Sequence, residues 1–132
     1  MTDIKGFSMT LRVYYEDTDT GGVVYHSNYL NFCERARSDA FFDKGITPVL
    51  HNGHFVARKV VADYISSAKL GDVLSIKSEL IEMRGASFKL KQSVYRDATE
   101  LFVLEITLAF ISFEGKPQKI DKQTKSLLLS LF

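Results

Sequence analysis

Tyr14-Tyr15-Glu16-Asp17-Thr18-Asp19-Thr20-Gly21-Gly22-Val23-Val24-Tyr25-His26-Ser27-Asn28-Tyr29 joins a strand-like run to the strongest helical pattern in the chain. Upstream, Phe7 to Tyr15 is dense in aromatic, β-branched and aliphatic residues and reads as a strand. Glu16 to Gly22 is a turn cluster, and Val23, Val24 and Tyr25 form a brief apolar run. Ser27 or Asn28 suits an N-cap. Beyond it, Tyr29, Cys33, Ala36 and Ala40 recur at spacings of three and four, and Leu30, Phe32, Phe41 and Phe42 widen that apolar face. Gly45 is a C′ stop and Pro48 prevents prompt resumption, so the pattern predicts a helix from Asn28 to Lys44.

The remainder reads as β. His54 to Ile65, Asp72 to Met83, Ser87 to Arg96 and Leu101 to Glu114 are rich in Val, Ile, Phe, Leu and Tyr. Gly71-Asp72, Arg84-Gly85, Asp97 to Glu100 and Glu114-Gly115 punctuate them. Ser75, Lys77 and Glu79 alternate with Leu74, Ile76, Ser78 and Leu80, as expected of an antiparallel sheet with one covered face. Short connections favour a meander. Asp121 to Phe132, with Leu127, Leu128, Leu131 and Phe132, reads as a short amphipathic helix. The expected class is α+β: one long helix wrapped by a roughly five-stranded antiparallel sheet, in a single domain over residues 1–132. One helix covers one face of such a sheet, so pairing with another subunit is expected.

The opening stretch also concentrates chemistry: three carboxylates, a glycine pair, a histidine and four tyrosines between a strand end and a helix start. A helix N-terminus offers unpaired N–H groups and partial positive charge, which can hold a carbonyl oxygen as negative charge develops on it. A nearby carboxylate can serve as nucleophile or general base, and a histidine can position substrate or exchange protons near neutrality. These parts suit acyl transfer to water. The same composition also suits a solvated turn. A calcium loop is excluded: counting from Asp17, position twelve is Asn28 where an EF-hand needs Glu.

Val13 to Asp19, Gly21 to His26, Asn28-Tyr29-Leu30 and Glu34-Arg35-Ala36-Arg37 together resemble YbgC-type acyl-CoA thioesterases of the 4-hydroxybenzoyl-CoA thioesterase branch of the hot-dog superfamily. The likeness continues more loosely through Ala62-Asp63-Tyr64, Ala68 and Leu70-Gly71-Asp72. It implies a hot-dog fold that dimerises sheet edge to sheet edge, often as a homotetramer. It implies Asp19 as the catalytic carboxylate, with Tyr15 and His26 at the other active-site positions. Tyr25 and the backbone from His26 to Asn28 fall where the thioester carbonyl is polarised, and Glu34 falls near the site. On this reading Asp19 attacks the thioester carbon or activates water, His26 orients thioester or water, and Tyr15 hydrogen-bonds Asp19. CoA needs basic partners, and the resemblance points to Arg84 and Lys89, with Arg58 and Lys59 as further candidates.

The other residues favour plainer roles. Asp17 shapes the turn, Glu34 and Arg37 form an i, i+3 surface pair, and Cys33 is a small hydrophobe in the helix stripe. His51 and His54 flank Asn52-Gly53 without a metal-binding motif, so no metal and no cofactor beyond CoA as substrate is expected. Among 132 residues, 45% are hydrophobic and 25% charged, and the net charge is +1, with no electrostatic footprint for nucleic acid. Met1 to Thr10 lacks the apolar run of a signal peptide, no stretch approaches the ~20 apolar residues of a membrane span, and the lone cysteine fits a reducing compartment. A cytoplasmic enzyme is expected. Two alternatives stand beside it: hydrolysis of acyl groups from acyl carrier protein, and a non-catalytic acyl-CoA or carrier-protein binding module.

Overall fold

A computed structural model describes residues 6–132. Met1 to Lys5, half of the segment read above for a leader, lie outside the described residues. The chain runs β1 (Phe7–Arg12), a 3-10 turn (Tyr15–Asp17), α1 (Asn28–Phe42), β2 (Val49–Leu50), β3 (Gly53–Tyr64), β4 (Val73–Met83), β5 (Ser87–Arg96), β6 (Thr99–Ile111) and α2 (Lys122–Leu131). The strands form one antiparallel sheet in the order β1-β4-β5-β6-β3-β2. This is the expected α+β hot-dog layout, with a sixth, two-residue strand that the sequence pattern is too short to announce.

Three expectations need correcting. β1 stops at Arg12, because the chain turns into the 3-10 helix where Asp17 takes the Tyr14 N–H on its side chain (2.8 Å). The meander holds only for β4-β5-β6. β3 pairs with β6 and β4 with β1, so the link from Ile65 to Asp72 crosses the sheet instead of turning back. In α1, Tyr29, Phe32, Cys33, Ala36, Ala40 and Phe41 are buried, whereas Leu30 and Phe42 are exposed. The apolar face is narrower than the pattern suggested.

α1 packs against the sheet face formed by Leu74, Ile76, Phe88, Leu90, Phe102, Leu104 and Phe110, all buried. Gln92 stands among them with no exposed surface. Its Nε2 donates to the Cys33 carbonyl (2.8 Å) and the Ser78 hydroxyl (2.8 Å), and its Oε1 accepts from Arg37 (3.0 Å). A satisfied polar network of this kind fixes the rotation of the helix on the sheet. Burial pushes the Cys33 thiol up to about 12, with Arg37 opposing, so the thiol stays protonated and inert.

The turns follow their residues. Arg96 and Thr99 face each other across Asp97-Ala98, and Asp97 adopts φ 54°, which aspartate tolerates better than most residues. α1 ends at Phe42 with Asp43 as its C-cap, two residues short of the expected Lys44, so Gly45 at φ 76° turns the chain one residue beyond the C′ position. Asp121 caps α2 by accepting the Thr124 N–H (2.8 Å).

Candidate active site

The segment between the 3-10 turn and α1 is a small hairpin. Thr18 bridges Val24, the Asp19 N–H donates to the Val23 carbonyl (2.9 Å), and the Gly22 N–H returns to the Asp19 carbonyl (3.1 Å). Closing this turn needs φ 81° at Gly22, a conformation that strains any L side chain. Asp19 sits at the tip. Its Oδ1 accepts from Gly21 N–H (2.8 Å) and, more weakly, Val23 N–H (3.4 Å). No described protein group bonds its Oδ2. The carboxylate is thus oriented by backbone and presents one unengaged oxygen.

Two open cavities meet at this residue. One, of about 710 Å³, is lined by Tyr15, Thr18, Asp19, Thr20, Gly22, Tyr25 and Leu70. The other, of about 380 Å³, is lined by Asp19, Tyr25, His26, Tyr29 and Tyr64, with the 65–67 loop. Asp19 and Tyr25 belong to both. The Tyr25 and His26 rings lie 4.4 Å apart, tilted 45°.

Below the hairpin, Asp17 is buried and fully used. Its Oδ2 takes the Tyr14 N–H (2.8 Å), its Oδ1 takes the Asn28 side-chain amide (2.7 Å), and its carbonyl takes the Tyr25 N–H (2.9 Å). Asn28 Oδ1 in turn accepts from Asn31 (3.0 Å). Ser27 holds the N-cap position without a side-chain cap, and the Asn28 N–H bonds the Tyr25 carbonyl (2.8 Å). Among the described residues, the N–H groups of His26, Ser27 and Tyr29 have no protein acceptor. They sit at the positive end of α1 beside the second cavity.

The structure therefore brings Asp19, Tyr15, Tyr25 and His26 together and separates the rest. Tyr15 is 85% exposed, and no hydrogen bond joins it to Asp19, contrary to the bond expected between them. Asn28 spends its side chain on Asp17 and Asn31 and lines neither cavity. Glu34 bonds Ser38 (3.3 Å), not Arg37, and faces a different cavity under α1. Arg84 pairs with Glu82 (3.1 Å), and Lys89 lies near Glu82 (3.9 Å) and Glu105 (4.0 Å), at the end of β4 and β5 away from Asp19. Lys89 alternates with the core residues Phe88 and Leu90, so it points to the sheet face opposite α1.

Three residues were missed. The Tyr64 hydroxyl donates to the His26 carbonyl (2.7 Å), and its ring lines the site. The Tyr29 hydroxyl accepts the buried Ala68 N–H (3.0 Å), tying the crossing loop to α1. Asp72 takes the Lys69 N–H (2.9 Å) and Arg96 (2.9 Å), securing the loop whose Leu70 lines the larger cavity. Tyrosines at strand ends and helix starts carry no signal of such pairing, because it depends on the crossing of β3 to β4. Among the described residues, no three His, Cys, Asp or Glu side chains gather closely enough to hold a metal ion. No helix among them is long and apolar enough to cross a membrane.

The thioesterase superfamily model matches residues 21–103, beginning just after Asp19. The chain is 42% identical over 130 residues to the acyl-CoA thioesterase YbgC of Helicobacter pylori, covering 91% of this chain and 98% of that one. A probable thioesterase from Bartonella henselae superposes with a TM-score of 0.82 at 31% identity, covering 88% of this chain and 99% of that one. A mutant 4-hydroxybenzoyl-CoA thioesterase complexed with 4-hydroxybenzoyl-CoA shares the fold, with a TM-score of 0.85 at 21% identity over 95% of this chain and 99% of that one. The chain belongs to the thioesterase superfamily, as a hot-dog enzyme of the YbgC type.

Proposed function

We propose that this enzyme hydrolyses acyl-CoA thioesters to the free acid and CoA, with Asp19 as nucleophile or general base. The observation that carries the reading is the half-engaged carboxylate: Oδ1 held by backbone and Oδ2 open at the meeting of two cavities, beside His26 and the start of α1. On the nucleophilic route, Oδ2 attacks the thioester carbon and the C–S bond breaks. The CoA thiolate leaves, and water cleaves the resulting mixed anhydride. On the general-base route, Asp19 takes a proton from water as its oxygen attacks, and the thiolate receives that proton. In both, the N–H groups at the start of α1 stabilise the oxyanion, and His26 orients the thioester or the water. Tyr15, whose hydroxyl has no partner among the described residues, and Tyr25 contact substrate. Asn28 acts through Asp17 by fixing where α1 begins. The reaction as drawn needs no cofactor.

A second copy completes the site. β2 covers β3 only at Gly53 and His54, so among the described residues Phe55 to Tyr64 form a free edge flanked by exposed Val56, Val60, Val61 and Ile65. An antiparallel edge pairs with itself about a two-fold axis. Pairing centred on the free stretch sets Tyr64 opposite Phe55 of the partner subunit. Both side chains lie on the helix-covered face, since the Tyr64 ring meets Tyr29 edge to face and the Phe55 ring packs tilted against Phe41. One subunit's Asp19 then neighbours the partner's cavity beneath Glu34, and the Arg84 and Lys89 end of the partner's sheet comes toward the CoA side.

The test follows released thiol from acyl-CoA esters for wild type and Asp19→Asn. Loss of a general base or nucleophile is expected to lower kcat by at least ~10²-fold. An Asn variant with wild-type turnover removes Asp19 from the role. Inactivity on every CoA ester with activity on acyl carrier protein esters moves the substrate. Sedimentation equilibrium is expected to give at least a dimer, and a fully active monomer overturns the paired site.

A further inference from the structure

We propose that Phe132, the residue following α2, sets the size of acyl group the enzyme accepts. This inference rests on the acyl-CoA reading and the paired site above. The cavity under α1 measures about 150 Å³, and its apolar wall is Phe41, Phe55, Phe88, Leu90, Leu108 and Phe132. Phe55, with Ala57, brings the β3 edge into it, on the side facing a paired copy. Phe41 stands between the edge and α2, its ring 6.3 Å from that of Phe55 and 6.3 Å from that of Phe132. A group entering at the edge passes Phe41 and stops at Phe132.

Phe132 is well placed as a stop. It is 7% exposed, and α2 behind it is anchored by Leu128 and Leu131 and by the Asp121 cap. The strap before α2 is bonded along the sheet end, with Gln118 N–H to the Phe110 carbonyl and Ile120 N–H to the Gly85 carbonyl (2.9 and 2.8 Å). An apolar cavity of about 150 Å³ accommodates a benzene ring, and here the wall that ends at Phe132 is apolar while Glu34, Arg37 and Ser38 line the other side. The cavity therefore fits a single ring or an aliphatic group of about six carbons, and not a long fatty chain. Each methylene left unburied forgoes roughly fourfold in kcat/KM.

The experiment measures kcat/KM on straight-chain acyl-CoA esters from four to sixteen carbons, plus benzoyl-CoA. It compares wild type, Phe132→Ala, Phe132→Leu and the exposed-face control Leu129→Ala. Wild type is expected to peak at about six carbons or benzoyl and to fall beyond. Phe132→Ala is expected to raise the ratio of ten-carbon to six-carbon kcat/KM at least ~10-fold, Phe132→Leu by less in the same direction, and Leu129→Ala to keep the wild-type profile. If Phe132→Ala does not fold by circular dichroism, Phe132→Leu decides. Folded Phe132 variants with the wild-type profile, or a wild-type peak at twelve carbons or more, overturn the inference while leaving the acyl-CoA reading intact. Absence of Asp19-dependent turnover on all CoA esters overturns the reading itself.

Discussion

Asp17 and Asp19 are separated only by Thr18, yet the chain treats them in opposite ways. Asp17 is 3% exposed, with both oxygens and its carbonyl spent on Tyr14, Asn28 and Tyr25. Asp19 is exposed, with one oxygen tied to the hairpin and the other open to two cavities. A carboxylate saturated by hydrogen bonds is a brace, whereas one aimed by backbone but left half-free can act on another molecule. Under the proposed function the two acidic residues divide into scaffold and chemistry, and their hydrogen bonds support that division. The division predicts that stability and turnover separate cleanly between them.

The largest effect expected is on turnover. Asp19→Asn is expected to lose at least ~10²-fold in kcat while its denaturation midpoint stays close to wild type, because the amide oxygen still accepts from Gly21. Asp17→Ala is expected to do the reverse first. It strands the Tyr14 N–H and the Asn28 amide, and by charged hydrogen-bond values it should cost about 2–3 kcal/mol in urea unfolding. Any fall in its turnover should follow loss of folded protein and be recovered at lower temperature. Equal stability losses for the two variants would erase the distinction.

The comparison also marks how far the sequence reads. β5 ends where the turn residues placed it, and α1 begins at Asn28, because caps, breakers and alternation are local and each leaves its mark in a few residues. Asp19 was marked as the candidate for chemistry by the resemblance of the motif around it. Non-local facts were not legible. That Glu34 faces the separate cavity under α1 depends on helix rotation, which Gln92 sets from 55 residues or more away. Tyr64 and Tyr29 join the site because the chain crosses the sheet after β3, and no local pattern records a crossing.

Tyr29→Phe tests that crossing. It deletes only the hydroxyl that accepts the buried Ala68 N–H and leaves the ring against Phe102 (centroids 5.0 Å). An unpaired buried donor costs about 1–3 kcal/mol, and this one falls at the low end if water reaches the adjoining cavity. Urea unfolding should show the loss, and kcat should fall modestly, because Ala68 also accepts the Val24 N–H (2.9 Å) that shapes the Asp19 hairpin. A variant as stable as wild type would mean the loop is held elsewhere.

The smallest effect is the acid response of the same loop. Burial pulls the Asp72 carboxyl upward, but the Lys69 N–H, the Arg96 guanidinium and the charge of Lys69 outweigh it and hold the group below the ordinary aspartate value of 3.8. A carboxyl depressed in the folded state stabilises the fold above its unfolded value, and that contribution is lost as pH falls through the lower folded value. Wild type should therefore exceed Asp72→Asn in stability at neutral pH by under about 1 kcal/mol, the range of a partly exposed ion pair. The gap should narrow from about pH 4 downward. High salt should shrink the neutral gap by screening Arg96, but not remove the part owed to the Lys69 N–H, which Asn keeps only if its amide oxygen takes the Oδ2 position. A gap that stayed constant into acid would show that the loop is braced by shape and not by this charge.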